Sequence, residues 1–248
     1  MFGWLKKLFV KNFGDTQPYV TTIVVAGGKG TRMGSPQNKV LVELGDKPIL
    51  AHALLVFEQN TEVDEIILVT AQNDMIACQD LVKEYNIEKV TIIVTGGEER
   101  QQSVERGLQE VIKQCKIVLV HDGARPLVTS NEVSRVIAAA CEFGAAAIGA
   151  RVKDTIKMVD GDYFIVGTMD RSQLWTVFTP QAFDTDLLRE AYENALVNKI
   201  EATDDCMLVE KLGKPVKMVK GSYCNIKITT PEDLIAAEAF LTERDELS

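Results

Sequence analysis

From Val20 onward, short β-branched apolar runs alternate with amphipathic stretches. The runs include VTTIVV, DEIILVT, VTIIVT and KIVLVHD, and segments with helical periodicity, such as KPILAHALLVFEQ, lie between them. Strands that are apolar throughout are typical of a parallel sheet buried on both faces. Joined by right-handed crossovers, they predict an α/β fold with a Rossmann-like, doubly wound, mostly parallel sheet.

This sheet predicts where a ligand would bind. Ligands of doubly wound sheets lie beyond the carboxyl ends of the strands. Four segments follow predicted strands: AGGKGTRMG, TGGEER, HDGARP and the residues around Lys227, which are predicted to end a strand before a Thr-Pro-Glu-Asp helix start. We expect these four segments to converge on one cleft.

One segment interrupts the pattern. KDTIKMVDGDYFIVGTMDRSQLWTV alternates polar and apolar residues around a turn at Asp160-Gly161-Asp162, which predicts a β-hairpin at about residues 152–173. The segment is too poor in apolar residues to form a core of its own. We therefore expect an arm that packs against another surface, for which a second subunit is the obvious candidate.

Composition limits the classes of function. Lys and Arg total 27 against 36 Asp and Glu, a formal net charge of -9, which argues against nucleic-acid binding because that binding depends on neutralised phosphates. No apolar run reaches the length of about 18 residues that a membrane span requires. The five cysteines form no CxxC pair and fit a reducing cytosol, so we expect a soluble, cytoplasmic protein.

Residues 1–17 stand apart from residues 18–248, which we interpret as a single domain. MFGWLKKLFVKNFGDTQ places lysines among aromatic and aliphatic residues, the composition of a basic amphipathic segment. Residues 1–13 are predicted either to contact an anionic membrane or a partner, or to pack on the chain's own domain.

The loop after the first strand favours phosphate binding. Glycines in AGGKGTRMG let backbone N–H groups approach phosphate oxygens, and Arg32 and Lys39 supply positive charge. The spacing matches neither GxGxxG nor the Walker pattern, so the glycines alone would fit an ordinary tight loop. The two cations favour a phosphate site.

Asp122 comes at the end of the fourth predicted strand. An aspartate there can hold Mg²⁺ through its oxygens or accept a hydrogen bond from a substrate hydroxyl, and the structural alternative is a turn cap. Its neighbour His121 is interpreted as a packed strand residue. GGEERQQS predicts the start of a helix, and Lys227 is predicted to face the cleft.

Together the motifs AGGKGTRMG…NK, GGEERQQSV, VHDGARP, VKDTIK, DRSQLW, TPQAF, ATDD and NIKITTPEDL resemble, in that order, the 2-C-methyl-D-erythritol 4-phosphate cytidylyltransferase family of the non-mevalonate isoprenoid pathway. The resemblance runs from about Val20 to Leu241. It implies a Mg²⁺-dependent transferase that joins CTP to the polyol phosphate, releases pyrophosphate, and works as a homodimer with exchanged arms. The family often has Pro-Lys-Gln in its first loop, where this chain has Pro36-Gln37-Asn38.

The resemblance also implies a role for individual residues. Catalysis would be by Arg32, Lys39 and Lys227. The CTP-binding residues would be Ala26, Gly27, Gly28, Gly30, Glu98, Ser103 and Gly123. The acceptor-binding residues would be Asp122, Arg125, Thr155, Arg171 and Thr203, with Asp122 also a candidate Mg²⁺ ligand.

Two alternatives stay open at this point. A ribitol-5-phosphate or other alditol-phosphate cytidylyltransferase shares the CTP loop and NIKITTP, although VKDTIK and DRSQLW favour methylerythritol phosphate. A non-catalytic nucleotide-binding protein could use the same fold, because a fold alone does not prove activity. The presence of Arg32, Lys39, Asp122, Arg171 and Lys227 argues against the second alternative.

Overall fold

The apolar runs of the sequence form the strands of one central sheet. The computed structural model describes residues 17–28 and 38–246. The described strands, in chain order, are β1 (Tyr19–Val25), β2 (Glu43–Leu44), β3 (Lys47–Pro48), β4 (Glu65–Thr70), β5 (Val90–Thr95), β6 (Cys115–Asp122), β7 (Ala145–Arg151), β8 (Lys157–Val159), β9 (Ile165–Thr168), β10 (Trp175–Asp184) and β11 (Lys217–Lys220). The described helices are α1 (Ile49–Gln59), α2 (Met75–Glu84), α3 (Arg100–Glu110), α4 (Ser130–Phe143), α5 (Thr185–Asn198), α6 (Asp205–Lys211) and α7 (Pro231–Glu246).

The central sheet has the strand order β11-β7-β10-β6-β1-β4-β5. Strand β10 is antiparallel to β6 and β7, and the other neighbouring pairs are parallel, which confirms the predicted mostly parallel sheet. The chain builds outward from β1 through β4 to β5 and then returns to place β6 on the other side of β1. The strand order therefore reverses between β1 and β6, and a reversal of this kind opens a crevice for ligands.

Helices cover both faces of this sheet, as the doubly wound prediction requires. On one face α1, α2 and α4 bury side chains such as Phe57, Leu81 and Val136. On the other face α3, α5 and α6 bury side chains such as Leu108 and Leu188. Each fully buried side chain of this size contributes roughly 1.5–3 kcal/mol, so the two layers hold the carboxyl ends of the strands in fixed positions.

Two predicted element boundaries are wrong. Helix α1 begins at Ile49 rather than Lys47, because residues 47–48 pair with residues 43–44 in a short hairpin and Pro48 has the extended ψ of 146°. Residues 225–230 do not end a strand. Instead Asn225 N donates to Ser222 O and Ile226 N donates to Cys224 O, so tight turns replace the ladder, although Ile228 N still donates to Ala124 O at 2.8 Å.

The predicted hairpin is present. Strands β8 and β9 pair antiparallel, and the turn is held by Asp160, whose Oδ1 accepts hydrogen bonds from Asp162 N and Phe164 N. The apolar side chains at its end are exposed, with Phe164 at 71%, Ile165 at 63% and Val166 at 62%. The hairpin thus carries apolar surface that the described part of its own chain leaves uncovered.

The predicted basic amphipathic segment at residues 1–17 falls almost wholly outside the described residues, so it stays a prediction, as does the division of the chain at residue 18. Among the helices that the structure describes, none has the length and apolar content needed to cross a membrane.

Candidate active site

A cleft of about 300 Å³ opens at the carboxyl ends of β1, β5 and β6. Each of the four segments predicted to converge contributes to it. Its lining comprises Val25, Ala26, Gly27, Gly28, Lys39, Val40, Gly97, Glu98, Glu99, Arg100, Ser103, Asp122, Ala124, Lys227 and Thr229. The sequence-based prediction of one shared cleft is therefore confirmed for the described residues.

The segment after β1 forms one wall of the cleft. Ala26 N donates to Val69 O at 2.7 Å, which ties this segment to the end of β4. A Cβ on Gly27 would lie 3.3 Å from Ala71 N, so a glycine suits this close backbone approach, whereas a Cβ on Gly28 would meet nothing within 4 Å. Gly30 and Arg32, both predicted site residues, lie outside the described residues.

Asn38 anchors Lys39 at the cleft. Its Nδ2 donates to Ala26 O and to Asp74 Oδ2, each at 2.8 Å, and its Oδ1 accepts from Val40 N. This buried amide joins the short 3₁₀ helix Lys39–Leu41 to the wall formed by Ala26. Sequence reasoning noted Asn38 only as a departure from the family pattern and missed this anchoring contact.

The loop between β5 and α3 is braced by its own side chains. Ser103 Oγ accepts from Gly97 N and donates to Glu99 O, both at 3.1 Å, while Gln102 Oε1 accepts from Glu98 N at 2.9 Å. The hydroxyl hydrogen of Ser103 is therefore used inside the loop. These contacts place the backbone of Gly97 and the side chains of Glu98 and Glu99 at the cleft.

Asp122 is surrounded by three cationic side chains. Its Oδ1 lies 3.1 Å from Arg100 Nε, and its Oδ2 lies 2.9 Å from Lys227 Nζ and 3.4 Å from Arg125 Nε. Asp122 N also donates to Thr179 Oγ1 at 3.0 Å. The carboxylate is thus the centre of a charged cluster at the end of β6.

The charges of this cluster set its protonation. Burial alone would raise the pKa of Asp122, but Arg100, Lys227 and Arg125 outweigh it and hold that pKa well below the usual value. Burial alone would lower the pKa of Arg100, and the carboxylates of Asp205 and Asp122 raise it instead. Asp122 is therefore a permanent anion that orients cations, and it is not a proton donor near neutral pH.

Arg100 is the cleft residue that sequence reasoning missed most clearly. It is the first residue of α3, and its Nη1 lies 2.8 Å from Oδ2 of Asp205, a carboxylate buried at the start of α6. The motif GGEERQQSV contains Arg100, but its pattern alone predicts only a loop followed by an acidic helix start. The buried Asp205 in ATDD is the signal that could have identified its partner.

Arg125 and Gly123 lie beneath the cleft rather than on its lining. Arg125 Nη1 donates to Asn225 O at 2.9 Å, and its guanidinium carbon lies 5.2 Å from the centre of the Phe178 ring. Gly123 N donates to Val25 O at 2.9 Å. In this structure both residues join β6 to neighbouring segments, and the acceptor-binding role of Arg125 stays a prediction.

Lys227 reaches the cleft from the segment before α7. Ile228 N bonds to Ala124 O, and Asp233 Oδ2 accepts from Thr229 N and Thr230 N, which fixes the backbone on the C-terminal side of Lys227. About 38% of the Lys227 side chain is exposed, so its ammonium group can contact both Asp122 and an incoming ligand.

His121 packs inside the protein, as predicted. Its Nδ1 lies 3.1 Å from Thr179 Oγ1 and its Nε2 lies 3.2 Å from Arg125 O. Complete burial lowers the pKa of His121 to about 4, so the ring is neutral at physiological pH. His121 is not among the residues that line the cleft.

Besides Arg125, three other predicted acceptor-binding residues lie away from the cleft lining. Thr203 borders an adjoining depression that shares Glu99 and Arg100 with the cleft. Thr155 and Arg171 belong to the exposed arm, where Arg171 Nη1 donates to Lys153 O at 2.9 Å. Within the described structure, neither arm residue lines the cleft of its own chain.

Asp122 does not fit the predicted role of Mg²⁺ ligand. Both of its oxygens contact cationic side chains, and a divalent cation there would be repelled by three positive charges. No group of three His, Cys, Asp or Glu side chains arranged to hold a metal occurs in the part of the chain that the structure describes. The arrangement is suited to binding phosphate groups, since Lys39, Arg100 and Lys227 lie around glycine backbone.

Comparisons with known proteins agree with this geometry. The family model for 2-C-methyl-D-erythritol 4-phosphate cytidylyltransferase matches residues 20–243. Proteins of that name from Alkaliphilus metalliredigens and Caldanaerobacter subterraneus are 48% and 47% identical to the chain, covering 92% and 90% of it and 95% and 98% of the relatives. Among solved structures, a 4-diphosphocytidyl-2C-methyl-D-erythritol synthase from Anaerococcus prevotii is 33% identical with a TM-score of 0.81, covering 92% of this chain and 100% of that one. The 2-C-methyl-D-erythritol 4-phosphate cytidylyltransferase of Thermus thermophilus is 32% identical with a TM-score of 0.74, covering 89% and 98%.

Proposed function

The chain belongs to the 2-C-methyl-D-erythritol 4-phosphate cytidylyltransferase family, and from that premise we propose that it joins CTP and 2-C-methyl-D-erythritol 4-phosphate to give 4-diphosphocytidyl-2-C-methyl-D-erythritol and pyrophosphate. The observation that carries the proposal is the placement of Lys39 and Lys227 on one cleft with the glycine backbone after β1. That cleft lies at the reversal point of the sheet, where a nucleotide is expected.

The proposed reaction is an in-line displacement at the α-phosphorus of CTP. An oxygen of the acceptor's phosphate forms a bond to that phosphorus, and the bond to the oxygen bridging the α- and β-phosphorus breaks as pyrophosphate leaves. Lys39, Lys227 and Arg32 are proposed to stabilise the negative charge that develops there. Positioning and fixed charges can supply most of such a rate acceleration.

The mechanism needs no strong general base. A phosphate monoester is already ionised near neutral pH and is a competent nucleophile. The reaction therefore does not require the buried, neutral His121 as a base. Asp122 stays ionised because three cationic side chains surround it. We propose that Asp122 binds the acceptor's hydroxyl groups. Its carboxylate oxygens keep lone pairs that the ion pairs do not use, and these can accept hydrogen bonds from the hydroxyl groups.

Mg²⁺ is proposed as the counter-ion of the CTP triphosphate, bound by phosphate oxygens. Mg²⁺ usually keeps several waters and takes few protein ligands, so such a site does not require Asp122. Depletion with a chelator and replenishment with Mg²⁺ tests this dependence, and full turnover in excess chelator would contradict it.

We propose that two copies of the chain exchange their arms. The uncovered apolar side chains of the arm need a partner surface, and a second copy satisfies that need with closed two-fold symmetry. Thr155 and Arg171 would then meet the acceptor phosphate in the other subunit's cleft, in keeping with their distance from the cleft lining of their own chain.

We also infer a cytoplasmic location for the enzyme. All five cysteines lie within the described residues and are unpaired, as expected in a reducing compartment.

Pyrophosphate release by the purified chain with CTP and Mg²⁺ tests the function. Methylerythritol phosphate and ribitol phosphate are supplied in separate reactions, with CTP alone as the control. Release with methylerythritol phosphate and little with ribitol phosphate is expected. Release with ribitol phosphate only would keep the CTP site but overturn the acceptor, and CTP binding without release would indicate a non-catalytic nucleotide-binding protein.

A further inference from the structure

A chain of polar contacts leads from the cleft into the layer of α5 and α6. Asp122 Oδ1 contacts Arg100 Nε at 3.1 Å, and Arg100 Nη1 contacts Asp205 Oδ2 at 2.8 Å. Asp205 Oδ1 in turn accepts a hydrogen bond of 2.6 Å from the hydroxyl of Tyr192, in the middle of α5. Tyr192 therefore lies three contacts away from Asp122.

The inner end of this chain is well buried. Asp205 is 1% exposed and Tyr192 is 5% exposed. A carboxylate at such a depth is costly unless it is paired and hydrogen-bonded, and here Tyr192 donates a hydrogen bond to Oδ1 while the guanidinium of Arg100 forms an ion pair with Oδ2. Asp205 N also donates to Gln181 Oε1, which fixes the backbone that carries the carboxylate.

The geometry limits what Arg100 can do. Its guanidinium spans two carboxylates, a fork that lysine could not reproduce. Held by Asp205, Arg100 fixes Oδ1 of Asp122 and leaves Oδ2 to Lys227 and Arg125. If Asp205 were displaced, Arg100 could turn toward the phosphates of a ligand, and the Asp122 carboxylate could rotate.

We propose that Tyr192, Asp205 and Arg100 form a positioning chain that fixes the Asp122 carboxylate for acceptor binding. This inference rests on the proposed function, because it takes Asp122 to contact the acceptor. Tyr192 touches no reacting group. It acts through Asp205 and Arg100, so its loss affects the acceptor more than CTP.

The first test is the kinetics of Tyr192→Phe, which removes only the hydroxyl. The KM for methylerythritol phosphate is expected to rise roughly threefold to tenfold, in the lower part of the range of coupling between members of one hydrogen-bonded network, while the KM for CTP changes less than twofold. Tyr85→Phe is the matched control, since it removes the same hydroxyl at the end of α2 on the opposite face of the sheet. Should Tyr192→Phe not fold, Asp205→Asn, which changes a buried residue that is not on the cleft lining, must produce the same selective rise in the acceptor KM.

Unfolding equilibria give a second readout that needs no turnover. In a double-mutant cycle, Tyr192→Phe and Asp122→Asn are expected to couple by at least about threefold in the unfolding constant, although the two residues are linked only through Arg100 and Asp205.

The outcomes distinguish failure of the proposed positioning chain from failure of the proposed function. An unchanged acceptor KM in an active Tyr192→Phe enzyme, or equal rises in both KM values, would overturn the positioning chain. Additive effects in the unfolding cycle would overturn it as well. Failure of the wild-type protein to release pyrophosphate with methylerythritol phosphate would refute the proposed function instead. The unfolding cycle alone would then test whether Tyr192 and Asp122 are coupled.

Discussion

At the scale of single residues, the cleft is proposed to bind the negative phosphates of CTP through cationic side chains. Lys39 lies on its lining, anchored through the buried amide of Asn38, whereas Lys227 approaches from the other end of the chain. The cleft lining places Lys39, Arg100 and Lys227 beside the carboxylates of Glu98, Glu99 and Asp122, so cations are present locally although the whole chain has a net charge of -9. Local charge, rather than net charge, decides whether a triphosphate can bind.

Lys39→Ala tests this assignment. By analogy with the loss of one oxyanion-stabilising donor, kcat is expected to fall roughly a hundredfold or more, with little change in thermal stability. Lys113→Ala is the matched control because it removes an exposed lysine just before β6, at the other end of that strand from Asp122. Near-normal turnover in Lys39→Ala would contradict the proposed role.

His121 gives a prediction about pH. In the unfolded chain its pKa is near 6.5, and in the folded protein burial lowers it to about 4. The unfolded state therefore binds more protons between these values, and stability must fall as the pH drops below 6.5. The loss from this residue should reach about 2 kcal/mol at pH 5.

Urea unfolding at pH 7 and pH 5 measures that loss, with His121→Asn expected to lose less stability between the two conditions. Imidazole NMR checks the cause directly. The His121 resonance should not titrate between pH 5 and pH 8, and a His52→Gln variant assigns the two histidines. A midpoint near 6.5 for His121 would show that the ring is accessible to protons.

The site residues that sequence reasoning found and those that it missed differ in a physical way. Asp122 ends β6 and Lys39 lies in the segment after β1, so topology places them at the cleft, whereas Lys227 reaches it from the turns before α7 although its predicted strand is absent. Arg100, Asp205 and Asn38 matter because of partners that are distant in sequence. Arg100 and Asp205 are 105 positions apart along the numbering, and no local pattern encodes their contact.

At the scale of elements, the arm is the part whose behaviour is most open to test. Its turn was predictable because Asp160-Gly161-Asp162 contains residue types that favour turns and lies between two segments of alternating polar and apolar residues.

Replacing Ile165 and Val166 by Asp is expected to convert a dimer into a monomer and to abolish turnover. Leu196→Asp, which alters a side chain of similar exposure on α5, should leave the dimer intact. Sedimentation velocity distinguishes these outcomes.

Arm exchange makes a sharper prediction through mixed dimers. Lys39→Ala disables a cleft and Arg171→Ala disables an arm, so each homodimer should be nearly inactive. Co-expressed, they should recover about a quarter of wild-type activity, because half of the dimers are mixed and each has one site with both parts intact. No recovery in dimers shown to be mixed would mean that each arm serves its own chain.

Boundaries at the ends of elements were the least predictable. The segment before α7 looked like a strand end, yet its backbone bonds to Ser222 and Cys224 within tight turns. Helical periodicity predicts the start of α1 two residues early, because residues 47–48 pair with residues 43–44 in a short hairpin. In both cases local hydrogen bonds of turns and hairpins decided the structure over the apolar pattern.

At the scale of the whole molecule, the fold follows from burial. Strands that are apolar throughout require cover on both faces, and α1, α2 and α4 on one side and α3, α5 and α6 on the other provide it. This requirement made the doubly wound class predictable. The exact strand order was not, since antiparallel β10 inserts between β6 and β7 for reasons that its own sequence does not display.

The central claim is that the cleft transfers a cytidylyl group to a phosphate. ³¹P NMR of the purified protein with CTP, Mg²⁺ and methylerythritol phosphate follows every phosphorus atom in that transfer. We predict a new diphosphate diester and pyrophosphate formed one for one, at a rate lower by roughly a hundredfold or more in Lys39→Ala. Release of CMP and pyrophosphate without the diester, or no loss of CTP, would contradict it.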